Sequence, residues 1–155
     1  MRYLIAALGI TALACGGSDE AGRQGQQPAP PSDRPAAAAP AATGTVHEVK
    51  MELRDGRYIY DPVQLTIRAG DTVRWVNISG GPHNVAFYQD KIPAGAGDVL
   101  NAAMPNRLGP WNGPLLTDSL AAYQVSFAGA PAGTYDYFCL PHEALGMKAS
   151  LTIQP

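Results

Sequence analysis

Hydrophobic and polar residues alternate with a period of two over most of the chain beyond residue 45, which is the spacing of half-buried β-strands. Seven short segments follow this pattern, and Gly, Pro or Asp turns separate them. Their predicted inward-facing residues are Val49, Met51 and Leu53; Val63, Leu65 and Ile67; Val73 and Trp75; Val85 and Phe87; Tyr123, Val125 and Phe127; Tyr135 and Tyr137; and Ala149, Leu151 and Ile153. The pattern predicts an all-β fold, an antiparallel β-sandwich with Greek-key connections.

One segment does not follow this period. Residues 98–104 favour a short helix, and Asp98 is its predicted N-cap because a carboxylate accepts hydrogen bonds from the first turn. The segment 99–111 is long enough either to shape a docking surface or to cover one side of the sandwich, and the sequence leaves both roles open.

The first residues have the pattern of an export signal. A basic residue precedes an apolar run over 3–13, which is too short to cross a bilayer because a spanning helix needs about 20 apolar residues. Ala12-Leu13-Ala14 fits the small-x-small rule for cleavage, and Ala14-Cys15-Gly16-Gly17 is similar to a bacterial lipobox. We therefore predict a signal peptide over 1–14 and a lipid anchor on Cys15. Plain secretion and a buried N-terminal helix are the alternatives.

Residues 15–44 have the composition of a tether. From Gly16 to Gly44 the chain is mostly Ala, Pro, Gln, Gly and Ser, and it contains no Val, Ile, Leu, Phe, Tyr or Trp. Such a segment buries too little apolar surface to offset the entropy lost on ordering. A flexible coil of this length reaches roughly 30 Å, so it would keep an anchored domain close to a membrane. The folded domain is predicted over 45–155.

Composition narrows the classes of function. The 155 residues carry a net charge of −2, and no basic run indicates binding to nucleic acid. Cys15 and Cys139 are the two cysteines, and they lie in different parts of the chain, so we expect no disulfide framework. The predicted domain has about 110 residues, which is enough to form one modest hydrophobic core. Cys139 is its single thiol.

The candidate chemistry lies in the stretch 137–147, which holds a thiol, an imidazole and a thioether in the order C-x2-H-x4-M. These are Cys139, His142 and Met147, and a second imidazole, His83, lies at the start of an upstream strand. Strand parity turns His83 and Cys139 toward the interior, and Met147 leads into the inward-facing residues of the last strand. Two imidazoles and a thiolate with a weak axial thioether are the ligands of a blue-copper site.

Other chemistries fit these residues less well. Structural zinc requires four Cys or His ligands, whereas the domain has one thiol and three histidines, His47, His83 and His142. The same scarcity excludes a multicopper cluster or a catalytic copper bound by several imidazoles. Nucleophilic catalysis requires an exposed, activated thiolate, and Cys139 is predicted to face inward. His47 begins its strand, where we expect a structural role.

Four stretches of the domain resemble the plastocyanin-like blue-copper proteins, the cupredoxins. They are Asp61-Pro62-Val63-Gln64-Leu65-Thr66-Ile67, Ala69-Gly70-Asp71-Thr72-Val73-Arg74-Trp75-Val76-Asn77, Pro82-His83-Asn84-Val85-Ala86-Phe87-Tyr88-Gln89-Asp90-Lys91-Ile92-Pro93-Ala94-Gly95 and Gly133-Thr134-Tyr135-Asp136-Tyr137-Phe138-Cys139. The likeness extends over nearly the whole domain, from about Val46 to Ile153, and implies a cupredoxin sandwich of eight strands.

The resemblance also implies a copper cofactor, one type 1 ion per chain that cycles between Cu(I) and Cu(II). Its implied ligands are His83, Cys139, His142 and Met147. The family likeness further implies that Asn84 steadies the ligand loop, through its backbone N–H to the Cys139 sulfur and through its side chain, and that the Pro82 carbonyl lies near the copper.

The sequence differs from the plant members of this family at positions that bear on docking. Phe138 stands where Tyr is common, Lys91 interrupts a stretch that is acidic in the plant proteins, and Leu140 replaces a residue with a hydroxyl. We therefore expect an apolar docking surface in place of an acidic one. Its predicted members are Pro82, Pro141, Ala144 and Leu145.

By this resemblance the protein is a one-electron carrier and not an enzyme, and the electron enters and leaves through His142. Its expected partners are redox proteins that bind transiently: a cytochrome, an oxidase or a photosynthetic reaction centre. We expect an exported monomer, in the periplasm or on the outer face of a membrane. Copper storage or delivery with the same ligands is the alternative, and a metal-free adhesion module is a third class.

Overall fold

The computed structural model of the protein describes residues 44–155. The predicted signal peptide over 1–14, Cys15 and the tether up to residue 43 lie outside the described residues. Within 44–155, no helix combines the length and the apolar character needed to cross a membrane.

Two four-stranded sheets form a β-sandwich. The strands are β1 (Val46–Arg54), β2 (Arg57–Asp61), β3 (Gln64–Arg68), β4 (Thr72–Asn77), β5 (Ala86–Phe87), β6 (Ala122–Ser126), β7 (Gly133–Phe138) and β8 (Lys148–Gln154). One sheet has the order β2-β1-β4-β6 and the other has the order β3-β8-β7-β5. Buried side chains from both sheets form one core cluster, so the predicted sandwich is confirmed.

Each sheet is mixed, whereas the alternation pattern predicts antiparallel pairing. β1 runs parallel to β4 and β3 runs parallel to β8, and the other described pairs are antiparallel. The chain forms the β1–β2 hairpin in one sheet, crosses to the other sheet for β3 and returns for β4. A strand that returns after a crossover can lie parallel to an earlier strand of its sheet, and local alternation carries no information about such pairing.

The alternation pattern does not predict β2. This strand follows a two-residue turn, Asp55-Gly56, in which the φ angles are 51° and 73°. Two-residue hairpin loops favour positive φ at both positions, and Asp-Gly is a preferred sequence for them. That dipeptide is therefore the signal from which the β1–β2 hairpin could be predicted.

Burial follows the predicted alternation along most strands. In β8, for example, Ala149, Leu151 and Ile153 are only 6%, 0% and 2% exposed, and the residues between them are more exposed. Leu53 and Val63 are exceptions, since they expose 42% and 52% of their surfaces. Leu53 lies near the end of β1, and Val63 lies in the short connection between β2 and β3, so neither faces the covered part of a sheet.

The helix α1 (Ala96–Ala103) begins two residues before the predicted position. Gly95 is its N-cap, with a φ of 81°, so the prediction of Asp98 as the N-cap is wrong. Glycine reaches this left-handed conformation without steric cost, which lets the chain enter the helix earlier. Asp98 lies in the first turn, where a carboxylate interacts favourably with the helix dipole.

The segment 99–111 covers one side of the sandwich. Val99, Ala103 and Trp111 pack against the buried core. The indole N–H of Trp111 also donates a hydrogen bond to the carbonyl of Gly97, at 2.9 Å. Of the two roles that the sequence leaves open, these contacts favour the covering role.

His47 lies at the opposite end of β4 from His83. It is in β1 beside the beginning of β4, whereas His83 follows the end of β4. Its Nε2 atom is 2.8 Å from Oδ2 of Asp71, and the other carboxylate oxygen accepts the N–H of Thr45 at 2.8 Å. The N–H of Arg68 also donates to Oδ2 of Asp71. This hydrogen bond has the largest effect, and together with the contacts to His47 and Thr45 it holds the pKa of Asp71 below its usual range. His47 therefore has a structural contact in the described part of the chain.

Candidate metal centre

Three buried side chains point their ligand atoms at one another beyond the ends of β4 and β7. His83 and Cys139 are 0% exposed, and His142 is 8% exposed. The two Nδ1 atoms are 3.2 Å apart. The Cys139 Sγ atom is 3.6 Å from Nδ1 of His83 and 3.5 Å from Nδ1 of His142. Three of the four predicted ligands therefore form a nearly equilateral triangle.

A metal ion fits the centre of this triangle. The point equidistant from the three ligand atoms lies about 2.0 Å from each, close to the ~2.0–2.3 Å at which protein nitrogen and sulfur atoms bind zinc-sized metal ions. A trigonal set of two imidazoles and a thiolate, with a soft thioether nearby, suits copper. The copper implied by the resemblance thus agrees with the residues present.

His83 is held firmly in the chain between β4 and β5. Its N–H donates to the carbonyl of Leu116 at 3.1 Å, and the N–H of Leu116 donates to the carbonyl of His83 at 2.7 Å. The ring Nε2 atom lies 2.9 Å from the carbonyl oxygen of Ser79. A carbonyl oxygen can only accept, so Nε2 carries the proton and Nδ1 keeps a lone pair for a metal.

The other predicted ligands lie on one tight loop between β7 and β8. Cys139 follows the last residue of β7 and is the N-cap of a 3-10 helix, Leu140–Leu145, which carries His142. Gly146 ends this helix with a φ of 87°, a conformation that favours glycine. Met147 follows it, 0% exposed, directly before β8.

Backbone hydrogen bonds close this loop on itself. The N–H of Cys139 donates to the carbonyl of Met147 at 3.1 Å, and the N–H of Met147 donates to the carbonyl of His142 at 3.1 Å. The N–H of His142 donates to the carbonyl of Cys139 at 3.0 Å. Because each of these residues is bonded to the other two, none of them can shift without moving the rest.

Asn84 follows His83 in the chain and connects this segment to the ligand loop. Its Oδ1 atom accepts the N–H of Leu140 at 2.8 Å, and its backbone carbonyl accepts the hydroxyl of Tyr60 at 2.6 Å. The side chain thus reaches the loop at the residue after the cysteine. The position of the Pro82 carbonyl near the metal stays a prediction.

Burial controls the protonation of the ligands. It lowers the pKa of His83, and together with the proximity of His83 it lowers the pKa of His142. Burial raises the pKa of the Cys139 thiol, although the N–H groups of Asn84 and His142 and the hydroxyl of Tyr60 act in the opposite direction. Both imidazoles are therefore neutral and able to bind a metal at pH 7, and the thiol loses its proton when a metal binds.

Tyr58 in β2 is a site residue that no pattern in the sequence predicts. Its ring stacks on the imidazole of His142, with 3.8 Å between ring centroids and 8° between ring planes. It also makes an edge contact with the ring of His83, at 6.1 Å. The stacked ring covers one face of the imidazole and restricts its rotation. Without a prediction of β2, no sequence pattern places Tyr58 beside His142.

Three of the four predicted docking residues lie in the same short helix as His142, the least buried of the predicted ligands. Pro82, Pro141, Ala144 and Leu145 are all exposed, and Leu145 exposes 63% of its surface. Pro141, Ala144 and Leu145 belong to the same 3-10 helix as His142. That these exposed apolar side chains form a docking surface stays a prediction.

In the metal-free protein, both His83 and His142 should titrate below the ordinary histidine pKa of about 6.5. Burial disfavours the imidazolium form, so the folded protein binds fewer protons than the unfolded chain as the pH falls through this range. The free energy of unfolding should therefore decrease as the pH is lowered below about 6.5. NMR titration of the ring resonances measures the midpoints, and a midpoint at or above 6.5 for either ring would contradict the prediction.

The sequence and the fold of this chain are similar to those of known copper-binding proteins. Residues 47–154 match the family described as copper-binding proteins, plastocyanin/azurin family. The sequence is 40% identical over 106 residues to plastocyanin from Scenedesmus fuscus, covering 68% of this chain and 97% of that protein. It is 35% identical over 115 residues to plastocyanin from Nostoc punctiforme, covering 74% and 78%. The fold is similar to oxidised plastocyanin from Dryopteris crassirhizoma, with a TM-score of 0.55 and 26% identity over 70% of this chain and 100% of that one. The chain therefore belongs to the plastocyanin/azurin family of copper-binding proteins.

Proposed function

We propose that the protein is a one-electron carrier in which His83, Cys139, His142 and Met147 hold one copper ion as a mononuclear type 1 site. The observation that carries the proposal is the buried triangle of two Nδ1 atoms and one Sγ atom, whose sides are 3.2, 3.5 and 3.6 Å. Bound copper would supply the Cu(I)/Cu(II) couple. The protein would supply fixed ligand positions and an apolar cover.

Rigid ligands would let an electron pass with little rearrangement of the protein. Ser79 holds the ring of His83, and the three backbone hydrogen bonds of the 139–147 loop hold the other predicted ligands. His142 would be the entry and exit point, because it is the only one of the four with measurable exposure, 8%. Tyr58 would keep the plane of this ring constant while partners bind and leave.

Neither an enzyme nor a copper delivery protein fits this arrangement as well. Within residues 44–155, His83, Cys139 and His142 are the one group of three His, Cys, Asp or Glu side chains able to hold a metal ion. With Met147 as the fourth ligand, a copper ion held by this group would have no open position at which to bind a substrate. A delivery protein would need ligands that can move apart to release copper. Cys139 and Met147 are instead 0% exposed, and their backbones are hydrogen-bonded to each other.

Replacing the thiolate should remove the colour of the copper protein. Cys139→Ser should abolish the intense visible band, because that band requires a thiolate bonded to Cu(II). His47→Ala should keep both the band and one copper per chain, since His47 contacts Asp71 and not the ligand group. Absorption spectra with metal analysis measure both. A colourless His47→Ala protein would contradict the ligand assignment, and a colourless wild-type Cu(II) form would contradict the carrier function.

We propose that partners dock on the apolar patch formed by Pro82, Pro141, Ala144 and Leu145. The acidic residue of this stretch, Glu143, accepts the hydroxyl of Tyr88 at 2.6 Å and lies 3.9 Å from the ammonium of Lys148. Its charge is therefore partly balanced, which supports an apolar approach. The protein would act as a monomer, and a cytochrome, an oxidase or a photosynthetic reaction centre would bind through a small, transient interface.

A charge placed in this patch should slow electron transfer between two copies of the protein. Leu145→Lys would set two like charges against each other in a self-exchange encounter, so the rate at low salt should fall by roughly tenfold or more. Leu108→Lys is the matched control, because Leu108 is 57% exposed but lies outside the patch. NMR line broadening in mixtures of Cu(I) and Cu(II) protein measures the rate. Equal rates for the two variants would refute the proposed docking surface.

We further propose that the protein is exported and anchored by a lipid on Cys15. The apolar run, the small residues before Cys15 and the apolar-poor tether support this location. Mass spectrometry of the native protein should find a mature chain that begins at Cys15 and carries acyl groups. A chain that begins there without lipid would contradict the anchor alone, and a chain that retains Met1 would contradict export as well.

A further inference from the structure

We infer that Asn112, in the connection between α1 and β6, is a positioning residue of the copper centre that acts through Asn84. The inference deepens the proposed function and depends on it for the role of the ligand loop. Asn112 reaches this loop through two hydrogen bonds in series, Asn112 to Asn84 and Asn84 to Leu140.

The bond from Asn84 to the ligand loop lies next to the sulfur. The N–H of Leu140 donates to Oδ1 of Asn84 at 2.8 Å, and this is the first amide after Cys139. Its direction therefore sets the path by which the chain leaves the sulfur ligand. Leu140 has no polar side-chain atom, so the backbone N–H is the group through which this residue binds the amide oxygen.

The bond from Asn112 controls which way the Asn84 amide points. Asn84 is 0% exposed, so both hydrogens of its Nδ2 atom need acceptors within the protein. Oδ1 of Asn112 accepts one at 2.6 Å, and the carbonyl of Gly113 accepts the other at 3.2 Å. A flipped amide would place its oxygen against two acceptor oxygens. The amide therefore presents its oxygen to Leu140 and not its nitrogen.

The backbone on both sides of Asn112 is hydrogen-bonded to Val85 and Phe87, in the segment that directly follows Asn84. The carbonyl of Trp111 accepts the N–H of Phe87 at 2.9 Å. The N–H of Gly113 donates to the carbonyl of Val85 at 2.9 Å. Asn112 is thus held in register with the residue that it orients. The acceptor oxygen is in place without any rearrangement of the connection.

Loss of the Asn112 oxygen would leave a buried N–H of Asn84 without its acceptor and would weaken the barrier against a flipped amide. A flipped amide would turn an N–H toward the N–H of Leu140, and the hydrogen bond beside Cys139 would be lost. The chain that leaves the sulfur would then be less restrained. This change should be visible in the metal-free protein as faster exchange of the Leu140 amide proton.

The test uses three variants of the full chain and hydrogen exchange followed by NMR without metal. Asn112→Ala removes the acceptor and should accelerate exchange of the Leu140 amide by about tenfold, the effect expected for the loss of one hydrogen bond. Asn112→Asp keeps an acceptor oxygen and should stay within about threefold of wild type. Asn101→Ala is the matched control. Asn101 lies in α1, and its Oδ1 atom accepts the N–H of Trp111, which is the residue before Asn112, at 3.1 Å.

With copper bound, Asn112→Ala should also shift the visible band and the reduction potential, and Asn101→Ala should leave both unchanged. Unchanged Leu140 exchange in Asn112→Ala would overturn the inference, and so would equal acceleration in Asn101→Ala, which would indicate general loosening of the connection. The exchange experiment needs no metal. Failure of the wild-type protein to bind copper would therefore refute the proposed function and leave this test readable.

Discussion

The closed loop between β7 and β8 is the constraint on which the site depends. Three predicted ligands fall within nine residues, and backbone hydrogen bonds of 3.0–3.1 Å link Cys139, His142 and Met147 to one another. A loop of this kind behaves as one rigid unit, so the sandwich has only to bring one further ligand to it. That ligand is His83, which lies in the chain between β4 and β5. Asn84, the next residue, accepts a hydrogen bond from the loop at Leu140.

Burial of the ligands explains the surrounding polar contacts. A buried imidazole needs a partner for its N–H, and the carbonyl of Ser79 provides one for His83 while leaving Nδ1 free. The same burial lowers the pKa of both ligand histidines and raises that of the thiol. The apolar surroundings that would protect a copper ion from water therefore also keep its nitrogen ligands neutral at pH 7.

Strand parity was the most useful pattern in the sequence, because burial on one face of a sheet imposes a period of two on the residues. It placed His83 and Cys139 inside the sandwich, where they are 0% exposed. The pattern fails where the end of a strand has no other sheet packed on it, as at Leu53. It also fails to predict β2, because the signal for that hairpin is the turn dipeptide Asp55-Gly56 and not alternation. It also could not reveal the two parallel strand pairs, because pairing direction depends on how the chain crosses between the sheets.

Residue identity and local spacing were enough to predict the fold class, the donor set and the loop that carries most of it, because these depend on chemistry and periodicity along the chain. The tertiary structure alone decides which distant side chains, besides His83 and Asn84, support that loop. Tyr58 stacks on His142 from a strand far away in sequence, and Asn112 orients Asn84 across 28 positions. Contacts of this kind arise when two sheets and a long connection pack together, and no local pattern encodes them.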